Sequence, residues 1–88
     1  MNCIEILLTA TGMEQKQMAE LLGVTPSTVC RWMRGDMSMN TVRELSKLFE
    51  VSYPFLFGET TESGNKDIDR ALQIVTELKR LRERNGWV

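Results

Sequence analysis

The sequence predicts an all-α protein, five short helices forming a small domain and a longer helix after them. Three observations predict it. Apolar residues recur at three- and four-residue intervals along the chain, the spacing that lines one side of a helix. Glycines and Ser, Thr or Asn residues punctuate those stretches where helix ends and caps are needed. A length of 88 residues, 42% hydrophobic and 26% charged, gives room for one small core and not for two.

Taken in order, Asn2 with Glu5 three residues on forms a capping pair for helix 1, on which Ile4, Leu7 and Leu8 follow until Thr11-Gly12 ends it. Met13 supplies an apolar residue ahead of helix 2 (about 14–22), whose apolar side carries Met18, Ala19, Leu21 and Leu22. Gly23 sits where a helix ends in a left-handed residue without a Cβ penalty, and Val24 seals the turn. Thr25 caps helix 3 (about 26–34), with Pro26 at the first position, where the N–H it lacks had no partner. A step of about 100° per residue places Val29, Trp32 and Met33 on one side of this helix. The other side presents Ser27, Arg31 and Arg34, flanked by Thr28 and Cys30, before Gly35 closes it.

Asp36 and Met37 form a short loop, and Ser38 caps helix 4, on which Met39, Val42, Leu45, Leu48 and Phe49 repeat at helical spacing. Ser52 caps a last short turn of helix from Tyr53 to Phe57, ending at Gly58. Residues 59–66 are polar and aperiodic and read as a linker. Ser63 or Asn65 can cap the C-terminal helix (67–85), whose broad apolar stripe runs through Ile68, Ala71, Leu72, Ile74, Val75, Leu78 and Leu81.

The spacing carried by Gln15, Ala19, Gly23, Val24, Val29, Trp32 and Gly35 resembles the helix-turn-helix of the lambda-repressor-like, XRE/Cro-type transcriptional regulators. Seven positions agree in one register, and the resemblance covers roughly residues 2–58. It implies double-stranded DNA as the partner, with helix 3 in the major groove. Ser27, Thr28, Cys30 and Arg31 then face base edges, where small side chains permit close approach and arginine can bond guanine O6 and N7. Gln15, Lys16, Arg34, Ser38, Asn40 and Arg43 fall where phosphates would be met.

The chain departs from the family pattern in places. Glu14 stands where Ser or Thr is common, and Leu8 and Met33 occupy positions that often hold an arginine and a glutamate. Two apolar residues in place of a buried ion pair read as a core contact exchanged together. Leu56 and Phe57 match core positions, whereas Phe55 falls where a polar residue is usual. Trp32 reads as core rather than as a stacking platform, and Cys30 as a small neutral filler rather than a redox thiol.

Composition narrows the function classes. Two cysteines are too few for a disulfide scaffold, and without histidine neither a zinc site nor a nucleophile pair can be completed. No enzyme activity, metal or cofactor is expected. No apolar run is long enough to span a bilayer, and the N-terminus lacks an export signal, so a cytoplasmic protein is expected. The net charge of −1 argues against nucleic acid, because residues 1–60 carry five basic against seven acidic groups. A local basic face must therefore overcome an unfavourable global field, and non-specific affinity should be poor.

Lys79, Arg80, Arg82 and Arg84 near the end of the last helix suit its dipole, with a second DNA contact as the sharper alternative. The stripe of that helix, assigned through Ile68, Ala71, Leu72, Val75, Leu78 and Leu81, is too broad to leave in water. It predicts a homodimer, the helix packing on its partner and on the domain edge, and hence an inverted-repeat operator. The rival from another class is a protein-interaction module, an antitoxin or adaptor, that uses the C-terminal helix on a partner protein.

Overall fold

The computed structural model describes residues 2–86. Six helices follow in order: α1 (Cys3–Thr11), α2 (Gln15–Leu22), α3 (Pro26–Met33), α4 (Met39–Phe49), α5 (Tyr53–Leu56) and α6 (Lys66–Asn85). The fold is all-α, as the periodicity predicts. Each boundary has a local chemical cause. The side chains of Asn2, Thr25, Ser38, Ser52 and Asn65 accept hydrogen bonds from the first free N–H groups of α1, α3, α4, α5 and α6. Glu14 occupies the cap of α2 in extended conformation, and the Gln17 side chain reaches back to accept from its N–H at 2.8 Å.

One apolar cluster holds the domain together. Ile4, Leu7, Met18, Val29, Leu45 and Phe55 are essentially inaccessible at its centre, with Trp32, Val42, Val51 and Leu56 around them. α2 packs on α3, α1 braces α3, and α4 packs on α5. Leu8 and Met33 are both half-buried against this cluster. Asn2 adds a polar tie, donating from Nδ2 to the Trp32 carbonyl at 3.4 Å.

Several expected core positions are differently placed. Leu21, Met39 and Leu48 are exposed, because helices of 8 and 11 residues on the edge of so small a core bury a narrower stripe than their apolar residues could fill. Phe57, expected inside, is exposed and lies edge-to-face on Tyr53 with ring centroids 6.2 Å apart. Phe55 takes the interior instead, since α5 ends at Leu56 and Phe57 falls on its capping residue. Cys3, not counted among the apolar residues of α1, is buried with its thiol directed at the Leu56 carbonyl, and burial pushes that thiol above its usual range.

The polar stretch 59–66 is bonded to the domain. Ser52 N–H donates to the Ser63 carbonyl at 2.7 Å, and Asn65 Nδ2 donates to the Phe49 carbonyl at 2.6 Å. Ser63 is fully buried, with its N–H on Asp69 Oδ1 and its hydroxyl on the Asn65 carbonyl. Gly64 has φ +81° and passes so close to Ser52 that an added Cβ would lie 3.2 Å from the serine Cβ. A side chain there would be strained twice over.

These bonds launch α6 back along the domain, where it packs against α1. Ile68 and Leu72, on a helix expected to pack on both its partner and the domain edge, pack on the core of their own chain. The reason is their position in the first two turns, next to the pinned start of the helix. Ala71 and Val75 are half-buried, whereas Ile74, Leu78 and Leu81 are 52%, 55% and 43% exposed.

Candidate nucleic-acid interface

The α2–turn–α3 unit is built by two helix ends of the same design. At the end of α2, Val24 N–H donates to the Ala19 carbonyl and Gly23 N–H to the Glu20 carbonyl. At the end of α3, Asp36 N–H donates to the Arg31 carbonyl at 3.1 Å and Gly35 N–H to the Trp32 carbonyl at 2.9 Å. In both, a glycine in the left-handed region lets the chain fold back over the last helical turn. The first turn sends Val24 toward the core and fixes α3 against α2. The second carries Asp36 back beside Arg31.

The buried side of α3 is held by Val29 and Trp32, which leaves Ser27, Arg31 and Arg34 exposed on the other side, with Thr28 and Cys30 half-covered at its margins. The hydroxyls at its start form a local chain, Thr25 Oγ1 lying 2.9 Å from Ser27 Oγ and 3.0 Å from Thr28 Oγ1. Ser27 and Thr28 keep acceptor capacity beyond these bonds, whereas Thr25 Oγ1, which also accepts from Thr28 N–H at 3.3 Å, is fully engaged. Arg34 Nη2 lies 4.0 Å from Cys30 Sγ, one turn earlier.

Arg31 Nε lies 3.7 Å from Asp36 Oδ2, with both side chains largely exposed. That distance makes it an ion pair rather than a hydrogen bond, and exposure holds its worth to about 0–1 kcal/mol. Sequence patterning missed this pairing, although the glycine at position 35 foreshadows it, because such a turn sets the residue after the glycine over the helical residue five places earlier.

The remaining candidates sit at two helix starts. Gln15 and Lys16 are exposed in the first turn of α2. Ser38 caps α4 while Asn40 and Arg43 are exposed on its first turns, and the Ser38 hydroxyl lies 3.1 Å from Thr41 Oγ1. Helix starts present free N–H groups and the positive end of the backbone dipole, so the start of α4 can accept an anion, whereas at the start of α2 the Glu14 carboxylate already occupies the cap and opposes one.

An α-helical core that grips one side of a short helix and turns its cationic side outward defines a helix-turn-helix DNA-binding module. The family model described as helix-turn-helix matches residues 4–56. The chain belongs to this XRE/lambda-repressor-like family of DNA-binding transcription regulators. No characterised protein and no solved structure matches it. The match ends before α6, which therefore has to be understood from its own chemistry. Among the described residues, no helix is long and apolar enough to cross a membrane.

Proposed function

We propose that the protein is a sequence-specific repressor that binds an inverted-repeat operator as a homodimer, in the cytoplasm, with α3 in the major groove. The observation that carries this reading is the outward side of α3, where Arg31 and Arg34 stand exposed opposite the buried Val29 and Trp32. Ser27, Thr28, Cys30 and Arg31 read bases. Gln15, Lys16, Arg34, Ser38, Asn40 and Arg43 hold phosphates and set the register of α3 in the groove. Repression needs only that a protein seated on an operator exclude polymerase from it.

The dimer reading rests on the distal half of α6. Ile74, Leu78 and Leu81 follow at intervals of four and three residues and lie on the side exposed to water. A two-fold dimer reading successive major grooves needs its two reading helices about 34 Å apart, one turn of DNA, and pairing through this stripe is the contact proposed to set that spacing. Coupling the two domains also raises the affinity of a module whose net charge opposes DNA.

Selection from a random duplex pool at two salt concentrations tests the function. One sequence with two-fold symmetry should be enriched, and its binding should weaken as salt rises. Arg31→Ala should cost roughly 1–3 kcal/mol on that duplex and relax preference at one or two base pairs. A protein that enriches no sequence is an interaction module instead, using α6 on a partner protein.

A further inference from the structure

We propose that Asp36 is a positioning residue that makes Arg31 selective for a base over a phosphate, an inference that rests on the reading of Arg31 as a base contact. A carboxylate on a face meant for DNA is unexpected, because it repels every phosphate in reach. The turn at Gly35 nevertheless brings it there by two backbone bonds and sets Oδ2 3.7 Å from Arg31 Nε. The Nε edge of the guanidinium thus faces an anion of its own chain. The two Nη groups at the far end remain for an acceptor pair such as guanine O6 and N7.

Two consequences follow from charge and geometry. Asp36 offsets the charge of Arg31, which lowers the attraction of the guanidinium to any phosphate regardless of sequence. It also biases a long, flexible side chain toward one orientation before DNA arrives, so less freedom is lost when the base contact forms. Both effects widen the gap between selected and random DNA. They also fit a domain in which acidic groups outnumber basic ones, seven to five over residues 1–60, because discrimination here cannot come from a surplus of cationic contacts.

The full chain, its Asp36→Asn and Arg31→Ala variants and the double variant are titrated with the duplex selected by the wild type and with a scrambled duplex of equal composition. Asp36→Asn should lower affinity for the selected duplex about twofold, the loss of at most about fivefold that an exposed ion pair can supply being partly offset by the removal of one repulsive charge. It should raise affinity for the scrambled duplex about two- to threefold by removing one repulsive charge. In the Arg31→Ala background, Asp36→Asn should no longer weaken the selected duplex and should strengthen both duplexes alike. If Asp36→Asn strengthens both equally while Arg31→Ala still costs selectivity, Asp36 is only a repulsive charge and the proposal fails alone. If Arg31→Ala weakens both duplexes equally, Arg31 is a phosphate contact and the proposal falls with that reading.

Discussion

At the scale of the residue, the contrast between positions 33 and 31 shows how neighbours decide what a side chain is for. Met33 ends α3 half-buried against the core, as does Leu8 on α1, and α1 braces α3. We expect the two to touch. Met33→Glu then places a carboxylate in partly apolar surroundings without a cation and should cost about 2–3 kcal/mol, lowering the melting temperature by roughly 10 °C or more. Adding Leu8→Arg should restore part of that loss, and a Met33→Glu protein that melts like wild type would put position 33 in water. Arg31, two residues earlier, is turned fully outward and meets Asp36 across a glycine turn. Periodicity assigns the sides of a helix well, so the outward direction of Arg31 was legible in the sequence. Its ionic partner was not, because the partner lies beyond the helix end, where periodicity has nothing to say.

At the scale of the element, caps were the most legible feature of the chain and tertiary tethers the least. Thr25, Ser38 and Ser52 cap the helices they were expected to cap, because capping is chemistry between residues two or three apart. Residues 59–66 read as linker because they are polar and aperiodic, yet Asn65 reaches the Phe49 carbonyl 16 positions away. Nothing in local composition encodes a bond of that range. Asn65 serves both ends at once, its Oδ1 accepting from Asp67 and Ile68 N–H and its Nδ2 donating to Phe49. Asn65→Ala should therefore remove a cap and strand a carbonyl together, costing about 1–2 kcal/mol in urea unfolding. A midpoint equal to that of wild type would show that the start of α6 is not pinned through this side chain. Phe55 and Phe57 lie two positions apart at the end of a helix of a single turn, too short for periodicity to sort them, and α5 settles them by where it stops.

At the scale of the whole molecule, α6 has two different surroundings along its length, and the proposed dimer would give each a use. Its first turns complete the domain, with Ile68 and Leu72 on the core, while Ile74 and Leu78 face water. The radius of gyration, 13.6 Å, exceeds the roughly 12 Å of a compact chain this long, as an extended helix requires. The two uses can be separated by substitution. Leu78→Glu should give a monomer in sedimentation that folds normally and binds the selected duplex far more weakly, whereas Leu72→Glu should destabilise the domain itself. A Leu78→Glu protein that still sediments as a dimer would place the interface elsewhere. The pinned joint at Ser63 and Asn65 would give the proposed dimer a mechanical character. With α6 bonded to the domain at its root, the proposed assembly would be a caliper whose jaws are set at one opening, measuring the gap between half-sites as well as reading them. Moving the half-sites apart by half a helical turn should defeat the wild type, and Asn65→Ala, by loosening the hinge, should forgive the change more readily.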